Sequence, residues 1–126
     1  MSKLPQRVVG GYWPYWNGPK LSDIPKDYNL IYLFSARPVG GQPGSTGAVF
    51  WEQGRQTAAS FKTDLAARRN AGTAVIMSIC GAGEYLRLDT RARTQAFVNS
   101  IKQIYSDLGG FDGLDWNIES TEVWPA

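Results

Sequence analysis

An α/β fold built from parallel β/α units is predicted by two features of the chain. Short apolar runs alternate with helical stretches, and runs such as VIM and LIYLF are apolar on both faces, as strands covered on both sides must be. Length supports one domain, because 126 residues with 43% hydrophobic side chains make a single ordinary core. Arg7 to Trp13 (RVVGGYW) forms the first expected strand. The following connection, Pro14 to Asn29, contains three prolines and has room only for a short helix near Leu21 to Ile24. Leu30 to Phe34 is the second strand, followed by a long loop rich in glycine and proline, RPVGGQPGSTGAVFWEQG.

A helix from Thr57 to Asn70 comes next, with Ala58, Phe61 and Leu65 on one face and Gly72 just past its end. Thr73 to Ile79 (TAVIMSI), rich in β-branched residues, is the third strand. The clearest helix spans Thr90 to Leu108. Asp89 or Thr90 caps it, Phe97, Ile101, Ile104 and Leu108 repeat at helical spacing, and Gly109-Gly110 end it. The fourth strand is FDGLDWNIES, residues 111–120.

Composition removes several kinds of chemistry. A net charge of +2 without a basic run gives no footprint for nucleic acid. No segment approaches the length of a membrane span, and the N-terminal sequence lacks the apolar core of a secretory signal, so the site of action stays undetermined. Cys80 is the single cysteine and allows no intrachain disulfide. The absence of histidine removes Ser-His and Cys-His dyads and most zinc sites. No metal or other cofactor is therefore expected, and proton transfer falls to carboxylates, tyrosines or lysines. Five tryptophans and six tyrosines are many for this length; flat aromatic faces serve carbohydrate sites and ordinary cores alike.

The fourth strand is amphipathic in an unusual way. Side chains alternate across a strand, so Asp115, Asn117 and Glu119 share one face while Leu114, Trp116 and Ile118 share the other. A solvated edge strand would show the same alternation. A calcium loop also sets oxygen ligands at every second position, but it has glycine at its sixth position and little interleaved apolar bulk. In a β/α barrel, by contrast, the apolar face meets the helices and the acidic face looks inward. Glu119 then emerges at the C-terminal rim, where the active sites of such barrels lie.

FDGLDWNIES resembles the D-G-x-D-x-D-x-E signature of family 18 glycoside hydrolases, the chitinases and related endo-β-N-acetylglucosaminidases. VVGGYWPYW resembles the family's first strand, with Tyr12 at a tyrosine position near the sugar. SICG, residues 78–81, resembles the S-x-G-G motif ending the third strand, with Cys80 in place of the first glycine and Gly81 as the second. The resemblance covers nearly the whole chain and implies that residues 1–126 are the N-terminal half of a (β/α)₈ domain, about four strands of eight.

That resemblance implies a retaining reaction without an enzyme nucleophile, in which the substrate's 2-acetamido oxygen attacks the anomeric carbon. Glu119 is then the general acid and base. Asp115 sits beneath it, held by Tyr12 and Ser78, and Asp112 shapes the turn into the strand. Asn117 departs from the family's aspartate. Its amide oxygen still accepts a hydrogen bond from the acetamido N–H, but the negative charge that balances the oxazolinium is lost. Family 85 enzymes, also substrate-assisted, are similar in pairing Asn with Glu. Tyr12, Trp13 and Trp16 are expected on the rim that holds the glycan. Trp51 is expected to pack under its loop, and Arg37 and Glu84 are further rim candidates.

The implied ligand is an N-acetylglucosamine oligo- or polysaccharide, either cleaved or held by a lectin whose acid row is altered. Four units would leave two outer strands unpaired and the inner face open to water. A missing C-terminal half, a second copy or a partner chain would complete the closure. If the 126-residue chain is stable alone, it is expected to be a homodimer, and a monomeric mass by light scattering on folded protein would rule that out.

Overall fold

The computed structural model describes residues 4–40, 46–117 and 119. Five strands and two α-helices alternate in the order β1 (Gly10–Pro14), β2 (Leu30–Pro38), β3 (Val49–Phe50), α1 (Ala58–Asn70), β4 (Ala74–Ile79), α2 (Arg91–Leu108) and β5 (Gly113–Trp116). The sheet order is β1-β2-β4-β5, with every neighbouring pair parallel. All four C-terminal ends therefore lie on one rim. This is the parallel β/α architecture expected from the alternation of elements, at the scale of a partial barrel. A short 3-10 turn, Leu21–Asp23, occupies the connection after β1, and Leu21 is fully buried there.

Local chemistry sets the boundaries. The first strand pairs from Gly10 rather than Arg7, because Asn29 engages the preceding backbone. Its side chain accepts from the Val9 N–H at 2.8 Å and donates to the Arg7 carbonyl at 2.8 Å. The second strand runs four residues further than its apolar run. A bulge between Leu33 and Ala36 interrupts the pairing with β4, the Phe34–Ser35 peptide there is cis, and Ala36 then pairs with Ile79. The expected long loop contains a two-residue antiparallel strand, β3, in which Arg37 faces Phe50 and Pro38 faces Val49. A pair this short leaves no period in the sequence. Ile118 and Ser120, assigned to the fourth strand from the sequence, lie outside the described residues, as does the closing segment 121–126.

Both helices are capped as their sequences dictate. Thr57 accepts from the Ser60 N–H at 3.1 Å to start α1, and Thr90, not Asp89, accepts from the Arg93 N–H at 3.1 Å to start α2. Asp89 instead pairs with Arg87 at 2.7 Å and Arg93 at 2.8 Å. Gly109 closes α2 at φ 79°, a left-handed conformation that glycine adopts without a Cβ clash.

The sheet has two distinct faces. Outward-pointing Trp13, Ile31, Leu33, Val75, Met77 and Ile79 are buried with Phe61 and Leu65 of α1 and Phe97, Ile104 and Leu108 of α2, which makes the core one layer of helices on one side of the sheet. In register with Met77 and Ile79, Leu114 and Trp116 also point outward. Trp116 stacks on Phe97 at 5.2 Å yet is half-exposed, because β5 is the edge of the described sheet. No helix among the described residues is long and apolar enough to cross a membrane.

One charge holds the β1–β2 connection against the core. Arg68 of α1 is buried and donates to three carbonyls, Ile24 at 2.8 Å, Tyr28 at 3.0 Å and Pro25 at 3.3 Å. Removing it leaves three partly buried carbonyls without this donor. Arg68→Ala is expected to destabilise the fold by roughly 2–4 kcal/mol, read as a lower midpoint in urea denaturation with an unchanged slope.

Candidate functional site

The register of the strands brings the inner face together. Tyr12 on β1 lies opposite Tyr32 on β2, and Tyr32 opposite Ile76 on β4; two residues further along, Ser78 pairs with Asp115 on β5. Ser78 Oγ donates to Asp115 Oδ2 at 2.8 Å, and Tyr12 Oη reaches the same oxygen at 3.4 Å. A flat sheet would separate β1 from β5 by about 14 Å, three strand spacings. Side chains standing on such a sheet could not meet across that gap. The contact between Tyr12 and Asp115 therefore requires the four strands to curl toward their inner face, as staves of a barrel do.

Asp115 is thus placed with Tyr12 and Ser78, and Ser78 is fully buried. Desolvation, followed by the Asp115 carboxylate and the Tyr32 ring, holds the Tyr12 phenol above its ordinary range. Tyr12 is nevertheless 60% exposed, stacked on Tyr32 at 4.8 Å and edge-on to Phe34 at 5.8 Å, with the rest of its ring open on the inner side. Asn117 extends the ladder, its N–H donating to the Ile79 carbonyl at 3.1 Å, and it is half-buried. The pleat puts it on Asp115's face, one step nearer the rim. Glu119, beyond the strand, is exposed.

Asp112 lies at the opposite end of β5 from the rim. Its carboxylate accepts from the Val75 N–H at 2.8 Å and pairs with Arg69 of α1 at 3.0 Å, while its own N–H donates to the Val75 carbonyl. It locks the start of β5 to β4 and to α1. Gly81 follows β4 where a side chain has no room, since a Cβ there would lie 2.8 Å from Phe34 Cζ. Cys80, beside it, is buried with φ at 66°. This is a left-handed conformation in which a non-glycine residue costs roughly 1–2 kcal/mol, so the glycine of the S-x-G-G pattern has a backbone reason.

Two aromatic expectations part company. Trp16 is 55% exposed on the rim, edge-on to Tyr15 at 5.2 Å and to Phe34 at 6.1 Å. Trp13, expected beside it, is 3% exposed: it points outward, packs on Phe61 and Trp51, and donates its indole N–H to the Pro19 carbonyl at 2.7 Å. It has no face to offer a sugar. Alternation along β1 decides this, because Tyr12 faces inward and its neighbour must face the helices. Trp51 packs against the core under its loop.

Tyr32 and Phe34 were missing from the sequence-derived set. Their spacing in LIYLF already put them on one face of β2, but only the register with β1 shows that face to be the one carrying Tyr12. Among the described residues, no group of three or more His, Cys, Asp or Glu side chains is arranged to hold a metal ion.

No family model matches the sequence. Individual proteins do. Chitinase D of Niallia circulans is 33% identical over 118 residues, and Chitinase Chi52 of Paenibacillus xylanexedens is 30% identical over 117; each alignment covers 90% of this chain. A family GH18 chitinase from Chromobacterium violaceum superposes with a TM-score of 0.82 at 28% identity over 95% of the chain. The chain is a relative of the family 18 glycoside hydrolases. It spans 22% of the length of each of the two relatives and 32% of the superposed chain.

In that family 18 framework Cys80 stands where the S-x-G-G motif has glycine, and its environment makes it inert. Burial, then the nearby Glu84 carboxylate, pushes its thiol up to about 12. Only the thiolate reacts. An aromatic disulfide reagent at neutral pH is expected to leave Cys80 untouched in the folded protein and to label it completely in denaturant.

Proposed function

We propose that this chain supplies the inner strands and acid row of a glycoside hydrolase that cleaves β-1,4 linkages next to N-acetylglucosamine, with retention and with help from the substrate. The convergence of Ser78 and Tyr12 on Asp115, on the concave face of the sheet, carries this reading. A solvated edge strand would not fix its acid with a fully buried serine from the neighbouring strand. That the relatives are named chitinases favours chitin as the polymer.

In this reading the acetamido oxygen of the bound sugar forms a bond to the anomeric carbon as the glycosidic C–O bond breaks. Glu119 gives its proton to the departing oxygen. Water then opens the oxazolinium ion, and its proton returns to Glu119, so configuration is retained. Asn117 accepts the acetamido N–H through its side-chain oxygen and orients the attack. Asp115, oriented by Ser78 and Tyr12, supplies negative charge beneath the row. An uncharged amide at 117 stabilises the developing cation less than a carboxylate would, so turnover is slow.

A second reading is a lectin that holds the glycan without cutting it. Two observations favour it: the neutral residue at 117, and the exposure of Glu119 where a general acid is better served by exclusion of water.

Incubation with N-acetylglucosamine oligosaccharides separates the two. The hydrolase reading expects shorter products of retained configuration by NMR, abolished in Glu119→Gln and increased at least about tenfold in Asn117→Asp. Saturable binding with no product over days, from wild type and Asn117→Asp alike, would establish the lectin instead. Neither binding nor products would overturn both.

A further inference from the structure

The inner face carries one phenol that the acid row does not use. Tyr32 stands on β2 between Tyr12 of β1 and Ile76 of β4 by register, and it is half-buried. A tyrosine there is ordinarily a packing residue that fills the hollow of a curved sheet. Two observations give it a more particular role: the ring of Tyr12 lies against it, and Tyr12 is otherwise held weakly.

The contact between Tyr12 Oη and Asp115 Oδ2 is long. At 3.4 Å it exceeds the roughly 2.5–3.0 Å of a strong O–H···O bond, so on its own it would hold the phenol loosely. The ring is also 60% exposed, and side-chain entropy favours its release into solvent. What fixes the ring is β2. Tyr32 stacks on it with centroids 4.8 Å apart and planes 24° from parallel, and Phe34, on the same face of β2, meets it edge-on at 5.8 Å and 83°. Together the two contacts set the plane of the Tyr12 ring, and in that plane Oη reaches Asp115. Tyr12 belongs by register to the row that ends in Gly113, whereas Asp115 stands one inward step nearer the rim. The phenol must therefore lean across rows to meet its acceptor. Glycine at 113 brings no side chain into the row that Tyr12 leans from, and a Cβ there would lie 3.2 Å from Ile76 Cδ1.

We infer that Tyr32 is a positioning residue for the acid row: its ring holds Tyr12 in the orientation that brings Tyr12 Oη to Asp115. Its consequence for turnover rests on the hydrolase reading given above, while the positioning itself is a property of the free protein. Ser78 donates to Asp115 at 2.8 Å whatever Tyr12 does, so loss of Tyr32 releases one of the two donors and leaves the other in place.

The test is a titration of Tyr12 in the free 126-residue chain, followed through the ring resonances of labelled tyrosine. The ionisable groups that act on this phenol are Asp115 from β5 and Tyr32 from β2. Asp115→Asn removes a negative charge beside the phenol and is expected to raise its ionisation constant at least about twofold. In a Tyr32→Leu background the phenol no longer stays at Asp115, and the same substitution is expected to change nothing. Tyr32→Met, also without a ring, serves for the comparison if Tyr32→Leu does not fold. Tyr32→Phe keeps the stack and is expected to preserve the wild-type coupling. An equal effect of Asp115→Asn with and without the ring at 32 would overturn the positioning role, as would loss of the coupling in Tyr32→Phe. With an N-acetylglucosamine oligosaccharide as substrate, the ring-less variant is expected to lose roughly two- to tenfold in kcat at an unchanged KM, and Tyr32→Phe to retain both. Unchanged kcat in a variant that has lost the coupling would overturn the consequence for turnover. Wild type that shows the coupling but no turnover would overturn the hydrolase reading and leave the positioning of Tyr12 standing.

Discussion

The shared hydrogen-bond acceptor Asp115 Oδ2 is the constraint on which the rest of this structure turns. Ser78 reaches it from the adjoining strand and Tyr12 from the far edge of the sheet. The first contact fixes which way β5 faces. The second requires that the four parallel strands curve, since the edges of a flat sheet lie too far apart. Curvature then determines everything on the concave side: Tyr12 stacks on Tyr32, Phe34 comes between Tyr12 and Trp16, and Asn117 follows Asp115 toward the rim.

Supporting that concave face is a division of labour between the two ends of the strands. At the N-terminal ends the chemistry is structural. Asp112 joins β5 to β4 and to Arg69, and Asn29 closes the entry to β1. Arg68 nearby holds the connection between the first two strands. At the C-terminal ends the polar and aromatic groups are instead left partly open. Trp16, Glu84, Asn117 and Glu119 have fractions of their surface free, and Cys80 accepts a left-handed backbone so that the chain can turn across the top of β4. A barrel segregates binding from stability in this way because the turns following the strands are free to vary while the opposite turns hold the sheet.

The partial barrel also explains an apparent inconsistency in the core. Leu114 and Trp116 belong by register to the same outward rows as Met77 and Ile79, which are completely buried, yet both are substantially exposed. The difference is position rather than pattern: β4 has a strand on each side and helices above it, while β5 ends the described sheet and α2 reaches only part of it. The chain spans 22–32% of the relatives' length.

By itself the sequence determined the two helices, the order of the four parallel strands around them, and the common face of Asp115, Asn117 and Glu119. These depend on local rules, period and capping chemistry, that act within a few residues. It also carried the family signature, because that signature is a linear pattern on one strand. What only the tertiary structure decided were the relations between strands. Trp13 and Trp16 stand three residues apart with equal claims on paper, but packing against Phe61 and Trp51 buries the first, while the second stays on the rim. Tyr32 and Phe34 join the site only through the register of β2 with β1. Arg37 passes for a solvated loop charge until β3 folds back and stacks Phe50 against it. Each of these turns on contacts between residues distant in sequence, and their energies depend on a curvature that no short window of the chain encodes.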